Sequence, residues 1–426
     1  MIQLSTKYIK RIEHVEKTIT IPADKSILHR AILLGSIVDD GTTKIYAEIG
    51  GEDNLATLYA MQKLGVNIIV ENKKIFIKGC KKFNNNLLLN CQNSGTTMRM
   101  LSGLLSARNV YATLVGDASL MQRPMNRVSD LLVKMGANIQ VVNGFAPIII
   151  QSTKNANGKV IGGNIDIKIA SAQLKSAVLL AGLNAIEKTI IVQNVQTRDH
   201  TERMLLAFGA DIQTRDMSIE LQPSKLRAQN LQIPSDCSSA AFFLALGALK
   251  GKVTCKNISI NATRSYYLDI MQRMGVALQI ENKQMYGNEE VADVTAIQSN
   301  LKNIQIMSDE VPKIIDELPI LAILMAYAKG KSEVFGAGEL KVKESNRLQA
   351  IVNTICDMGG QARVIDDGFE VMGKGYLSGG ITQSLHDHRI AMSAAIALAC
   401  SQNGGGIKDA ACVSISFKNF FDLLER

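Results

Sequence analysis

The chain has 426 residues, too many for one ordinary core, so length alone implies about two or three domains. Apolar residues make up 46% of it with no Trp, and no apolar run approaches the ~20 residues of a membrane span, which argues against a membrane helix. A net charge of +8 suits an anionic partner, either a small substrate or a nucleic acid, and composition does not choose between them.

The start, Met1-Ile2-Gln3-Leu4-Ser5-Thr6-Lys7, lacks the basic-then-apolar layout of a signal peptide. The seven cysteines are odd in number and scattered, with no Cys-x-x-Cys pair. They read as reduced, buried thiols of a cytoplasmic protein rather than as staples or zinc ligands. In chain order, the first informative element is Ile21-Pro22-Ala23-Asp24-Lys25-Ser26-Ile27-Leu28-His29-Arg30, a strand end, a turn and a helix start. Ser26 is the expected N-cap, and Arg30 lies one turn further along the same face, with Lys25 just before. Cations converging on a helix N-terminus outline a phosphate or carboxylate site, although a solvated basic helix start is the plain alternative.

Next, Met61-Gln62-Lys63-Leu64-Gly65-Val66-Asn67-Ile68 reads as a helix closed by a glycine and passing straight into a strand. Cys91-Gln92-Asn93-Ser94-Gly95-Thr96-Thr97 is a small polar turn into a helix, suited to backbone contacts with an anion or simply an ordinary cap. Arg123 precedes Pro124, which should start another helix. The glycine pattern returns at Gly136, Gly209, Gly275 and, more weakly, Gly359, at spacings of 71, 73, 66 and 84 residues from Gly65 onward. Between these copies lie Ser171-Ala172-Gln173, at a helix start, and Arg198-Asp199-His200-Thr201, where Asp199 or Thr201 should cap a helix.

In the second half, Asp316 precedes Glu317-Leu318-Pro319 and reads as a helix-start carboxylate, either a cap or a base beside cations. Lys341-Val342-Lys343-Glu344-Ser345-Asn346-Arg347 alternates and then turns helical, so that Lys343, Glu344 and Arg347 should meet, unless the segment is only a charged helix face. His386-Asp387-His388-Arg389 ends the series. Its histidines share no helix face and have no evident third ligand, which weighs against a metal, whereas Arg389 heads an Ala-rich helix and needs an anionic partner. The chain ends at Phe421–Arg426, about where a sixth amphipathic helix would reach its glycine. Each copy also carries a second helix that is apolar nearly all round, as in 98–106, 172–185, 238–248, 318–328 and 390–399. Such helices are buried, so six α/β units in two groups of three should turn these helices inward and their sheets outward. Proline punctuation places the crossings near Pro22 and Pro234, giving one domain of 23–235 and another of 1–22 plus 236–426.

Taken in order, these segments resemble the 5-enolpyruvylshikimate-3-phosphate synthase family over nearly the whole chain, in its bacterial class II branch. The motifs carrying the likeness are Ile21-Pro22-Ala23-Asp24-Lys25-Ser26, Asn93-Ser94-Gly95-Thr96-Thr97, Ser171-Ala172-Gln173, Arg198-Asp199-His200-Thr201-Glu202 and Asp387-His388-Arg389. The resemblance implies an inside-out α/β barrel fold, with two domains each of three βαβαββ repeats and the active site in the cleft between them. It also implies transfer of the enolpyruvyl group of phosphoenolpyruvate to the 5-hydroxyl of shikimate 3-phosphate, with no metal, no cofactor, no nucleic acid and no membrane, in a monomer. By position, Lys25, Ser26, Arg30, Ser171, Gln173, Arg198, Asp316 and Lys343 would hold shikimate 3-phosphate. Lys25, Gly95, Thr96, Arg123, Gln173, Arg347 and Arg389 would hold phosphoenolpyruvate. Catalysis would fall to Asp316 as proton acceptor for the hydroxyl and Glu344 as acid for the methylene carbon, with Lys25.

Several positions depart from the family pattern. Ala23 replaces a usual Gly and should stiffen the first turn or alter its φ angle; Leu28 and His386 are also unusual, while Met100 stands where one branch has Pro, as apolar residues do in class II. Ile415 and Lys418 alter the region near the end that contacts phosphoenolpyruvate in some members. Two other readings compete. The sister transferase acting on UDP-N-acetylglucosamine usually has Lys-Asn in the first motif and often a Cys in a loop around 112–125, and this chain has neither. A basic nucleic-acid-binding repeat protein would need aromatic platforms that this chain lacks.

Overall fold

The computed structural model describes residues 6–153, 155 and 158–426. The leader reading at residues 1–5 lies outside these. The chain divides into two compact units, one of Ala23–Ile233 with Tyr286–Glu289, the other of Met1–Pro22, Pro234–Met285 and Glu290–Arg426. The short piece at 286–289 is a hairpin tip, a regrouping that nothing in the sequence signals.

The first unit holds three four-stranded sheets built alike. In the first, Asn230–Gln232 runs parallel to Thr42–Tyr46, followed by the antiparallel strands Lys74–Lys78 and Asn67–Glu71. The second orders Leu87–Asn90, Ala112–Val115, Phe145–Gln151 and Asn138–Val142, and the third orders Gly163–Ile167, Thr189–Gln193, Ser218–Leu221 and Ile212–Arg215, with the same parallel-then-antiparallel sense. Alternating burial along Thr42–Tyr46 puts Thr43 and Ile45 inward and leaves the other face to solvent. The helices Lys25–Ser36, Gly95–Ser106 and Ala172–Gly182 are buried nearly all round. A Cβ on Gly103 would sit 2.0 Å from the Ala177 carbonyl oxygen, so glycine is what lets the last two of these backbones touch.

The other unit repeats the plan. Val15–Thr20 runs parallel to Gly251–Ser259, which pairs with Glu289–Ile297, and Ala277–Tyr286 lies beyond that strand. A second sheet orders Gln305–Ile306, Lys329–Val334, Gly368–Lys374 and Gln361–Ile365; a third has three strands, Thr6–Ile9, Gly405–Lys408 and Gly380–Gln383. Cys237–Lys250, Leu318–Tyr327 and His388–Cys400 form its buried helical centre. Each unit thus has its own aliphatic core. With large side chains worth about 1.5–3 kcal/mol each on burial, inward helices and outward sheets follow from the pattern of apolar residues.

All five repeat glycines follow an amphipathic helix and have positive φ, from +80° at Gly359 to +95° at Gly65, which is the left-handed helix stop their spacing suggests. The sixth such helix is Phe420–Glu425, and its Phe420 meets Phe417 and Phe243 at ring distances of 5.6 and 5.3 Å. Phe417 therefore anchors the altered terminal segment, with Ile415 against the same core and Lys418 in solvent. Ala23 is buried at ordinary negative φ, so the absence of Gly there costs no backbone strain; Leu28 and Met100 are core residues.

Some local expectations fail. The N-cap of Lys25–Ser36 is Asp24, whose carboxylate accepts from Ile27 N at 2.9 Å, and Ser26 already lies within the helix. A carboxylate one residue before Lys25 competes well for the first free amides. Pro124 sits two residues before its helix, which begins at Asn126, and Asp199 takes the N-cap position of His200–Ala207 without a side-chain cap bond. Of the stretch expected to alternate from Lys341, Lys341 and Val342 close a short 3-10 helix, Gly338–Val342, and only Lys343 is extended. Of the cysteines, Cys356 is exposed and Cys80 half-buried, while the other five are buried, and all seven are free.

Candidate active site

In the first unit the sequence-marked residues gather at helix N-termini. Lys25 Nζ pairs with Asp53 Oδ2 at 2.7 Å, and its main-chain carbonyl accepts from Asn54 at 3.0 Å. Behind it a buried relay runs from His29 Nδ1 to Thr57 Oγ1 and on to Thr97 Oγ1, each step 2.7 Å. Burial, helped by the charges of Lys25 and Arg30, holds His29 well below the usual histidine range, so this ring is neutral.

Arg30 is almost completely buried. Its guanidinium donates to Thr201 Oγ1 at 2.6 Å, Ser176 Oγ at 2.7 Å and the Ser26 carbonyl at 2.8 Å, so the Ser26 main chain rather than its hydroxyl meets the arginine. All three acceptors are neutral. Burial pushes Arg30 down to about 10, partly offset by the charges of Glu202 and Asp24 and reinforced by that of Arg198. A buried guanidinium compensated mostly by neutral groups is a place where an added anion is favoured.

The residues flanking Ser176 and Thr201 support this arginine. Lys175 Nζ, 2% exposed, pairs with Glu202 Oε1 at 2.6 Å and donates to the Thr197 carbonyl at 3.3 Å, fixing the turn that carries Arg198. A cavity of about 330 Å³ adjoins that turn, lined by Lys175, Thr197, Asp199, Glu202 and Arg203 among others. Ser171 caps Ala172–Gly182 through Leu174 N. From that helix Gln173 donates to Thr96 Oγ1 at 3.0 Å and accepts from Arg99 Nη1 at 2.7 Å. Arg123 donates to Asn93 Oδ1 at 2.9 Å. A Cβ on Gly95 would stand 2.9 Å from Arg99 Nη1 and 3.4 Å from Arg123 Nη1, so the bare glycine keeps two guanidinium groups close to a helix start.

In the other unit Arg347 is the hub. Its Nη2 pairs with Glu344 Oε2 at 2.5 Å, its Nε with Asp387 Oδ2 at 2.7 Å and its Nη1 with Asp316 Oδ1 at 3.5 Å. Asp387 dominates among these partners and raises Arg347 above the ordinary arginine range despite its complete burial. Asp387 also caps His388–Cys400 through Arg389 N and Ile390 N. Arg389 donates to the Asp316 carbonyl at 3.0 Å and lies 3.8 Å from that residue's carboxylate. Asp316 itself precedes the N-cap, which is Glu317. Lys343 is half-buried and extended just ahead of Glu344. His386 faces solvent and pairs with Asp409 at 2.5 Å; among the described residues no cluster of three His, Cys, Asp or Glu side chains could hold a metal ion.

Sequence reasoning gave no role to Asp53, Arg99, Lys175, Glu202, Arg264 and Glu317. Arg99 sits four residues after Gly95 on the same helix, a spacing that could have flagged it. The others acquire partners only through folding.

Two units of three like-built α/β repeats, with charged side chains collected at the N-termini of their buried helices, are the architecture of the enolpyruvyl transferases. The enolpyruvyl transferase NikO of Streptomyces tendae superposes with a TM-score of 0.77 at 14% identity, over 97% of this chain and 95% of that one, a likeness of fold. The model of the EPSP synthase (3-phosphoshikimate 1-carboxyvinyltransferase) family matches residues 9–424, and this chain belongs to that family. The 3-phosphoshikimate 1-carboxyvinyltransferase of Petrotoga mobilis is 40% identical over 97% of both chains, and that of Thermoanaerobacter sp. 39% identical over 98% of this chain and 99% of the other. The EPSP synthase of Acinetobacter baumannii superposes with a TM-score of 0.87 at 39% identity, covering 99% of this chain and 97% of that one.

Proposed function

We propose that this chain transfers the enolpyruvyl group of phosphoenolpyruvate to the 5-hydroxyl of shikimate 3-phosphate and releases phosphate, with the two clusters described above serving one reaction. Lys25, Ser26, Arg30, Ser171, Gln173, Arg198, Asp316 and Lys343 hold shikimate 3-phosphate. Phosphoenolpyruvate is held by Lys25, Gly95, Thr96, Arg123, Gln173, Arg347 and Arg389. The observation that carries the reading is, in the first unit, a cation-rich cluster with Arg30 under-compensated and, in the other unit, Arg347 held by the carboxylates of Asp316, Glu344 and Asp387.

The chemistry follows from those groups. Glu344 delivers a proton to the methylene carbon while the 5-hydroxyl oxygen attacks the adjacent carbon, its own proton passing to Asp316. The tetrahedral intermediate loses phosphate by cleavage of its C–O bond, the methyl group returns one proton to the Glu344 carboxylate as the double bond re-forms, and the hydroxyl proton held by Asp316 leaves with the phosphate. The arginines offset the charge of the two anions and of the departing phosphate. In the free protein Glu344 is tied to Arg347. An anionic substrate that takes over Arg347 loosens that ion pair and leaves Glu344 able to carry its proton. We assign no oligomeric partner to this activity, and no described helix is long and apolar enough to cross a membrane.

The test is phosphate release from phosphoenolpyruvate with shikimate 3-phosphate or UDP-N-acetylglucosamine offered separately. Turnover with shikimate 3-phosphate alone is expected; turnover only with the sugar nucleotide would overturn the proposal.

A further inference from the structure

Behind Arg389 lies a buried charge cluster that the reaction as described does not use. Arg264 stands in the turn between the strand Gly251–Ser259 and the helix Tyr266–Arg273, where its amide donates to the Asn261 carbonyl at 2.8 Å. It is 1% exposed, and its Nη1 donates to Glu317 Oε1 at 2.8 Å. Ser238, near the start of a buried helix, accepts from Arg264 Nη2 and donates to the same Glu317 oxygen. Glu317, also 1% exposed, has Arg389 Nη1 3.9 Å from that same Oε1, beyond hydrogen-bond reach. That same Nη1 donates to the carbonyl of Asp316, the residue before Glu317. The charges therefore alternate in one line through Arg264, Glu317, Arg389, Asp316 and Arg347.

We propose that Arg264 is a positioning residue for phosphoenolpyruvate binding, holding the Glu317 carboxylate so that Arg389 stays turned toward substrate. The physical reason lies in the competition for Glu317. A buried carboxylate demands a charged partner, and leaving it unpaired is costly. With Arg264 and Ser238 both on Oε1, that oxygen already has its partners, and Arg389 stays about 1 Å outside a close ion pair with it. Without Arg264, Arg389 is the cation left beside Glu317 among the described residues. It would be drawn inward, away from the Asp316 carbonyl and from the substrate anion. A displacement of about 1 Å at a group that orients substrate costs about 100-fold in extreme cases.

The inference rests on the proposed function, since it takes Arg389 to hold phosphoenolpyruvate. Steady-state kinetics of Arg264→Met, Arg264→Lys and the double variant Arg264→Met with Glu317→Gln test it. Arg264→Met should raise KM for phosphoenolpyruvate about 10- to 100-fold while leaving KM for shikimate 3-phosphate within about twofold. Arg264→Lys keeps a charge in the pocket and should fall between wild type and Arg264→Met, which keeps the test open if the methionine variant folds poorly. The double variant removes the carboxylate that would capture Arg389, so its KM for phosphoenolpyruvate should return toward the wild-type value. A purely structural role would lower thermal stability and spread its kinetic effect over both substrates. An unchanged KM for phosphoenolpyruvate in the single variants, equal changes for both substrates, or a double variant as impaired as Arg264→Met would overturn the positioning role. Failure of the wild-type protein to use these substrates would instead overturn the proposed function itself.

Discussion

Replacing Lys175 with Met removes the cation from a deeply enclosed ion pair of the first unit. Lys175 and Glu202 side chains are 2% and 8% exposed, their contact is 2.6 Å, and Glu202 Oε2 has no hydrogen-bond partner. Methionine fills the stem volume, so the loss is chiefly that of the charge, and a carboxylate left buried and unpaired costs about 3–5 kcal/mol. For a unit of this size, at about 2–4 °C per kcal/mol, its melting temperature should fall by about 6–20 °C. The same change removes the bond from Lys175 to the Thr197 carbonyl, so the turn bearing Arg198 should loosen and KM for shikimate 3-phosphate should rise. Thermal and urea unfolding of Lys175→Met, Glu202→Gln and the double variant measure the coupling. The double variant should recover a good part of the deficit, because no unpaired charge then remains. A Lys175→Met loss below about 1 kcal/mol, or a double variant no better than the single, would refute the view that this pair is a closed buried unit.

Glu344→Gln should lower kcat by about 10²- to 10⁴-fold with little change in the dissociation constant for shikimate 3-phosphate by calorimetry, because the amide keeps the shape and loses the proton. Gly95→Ala should leave thermal stability intact, since its Cβ would press only on the flexible end of Arg99 and merely touch Arg123 and Leu120, yet raise KM for phosphoenolpyruvate about tenfold by displacing Arg99 and narrowing the space beside Arg123. His29 supplies a pH test. Its folded value lies well below the unfolded value of about 6.5, so acid adds a proton to the unfolded chain first. Stability is then fully present above about pH 6.5 and falls by about 1.4 kcal/mol per pH unit on acidification, until the pH reaches the folded value. Urea unfolding from pH 7 to pH 5 should show this slope, and it should flatten in His29→Gln; a slope unchanged by that substitution would remove His29 as its source.

The sequence alone determined the repeat. Gly65, Gly136, Gly209, Gly275 and Gly359 each close a helix with positive φ, a local requirement of the backbone that a single residue type satisfies best and that is therefore readable without coordinates. The buried helices were equally legible, because aliphatic residues on every face leave a helix nowhere to go but inside. So were the positions of Lys25, Gly95, Gln173, Arg347 and Arg389, each at or near a helix start. Capping was less so: Asp24 and Ser26 both suit the role, and only the path of the turn selected the first. What the tertiary structure alone decided is which charges meet. Arg264 and Glu317 are 53 residues apart, Lys25 and Asp53 are 28 apart, and Arg347 finds Asp387 at a separation of 40. Coulomb attraction acts through space, and burial sets its strength, so no local pattern announces such partners. The residues proposed to face an anion were visible as isolated cations; the buried carboxylates and hydroxyls beside them became visible only once the sheets and helices had closed around them.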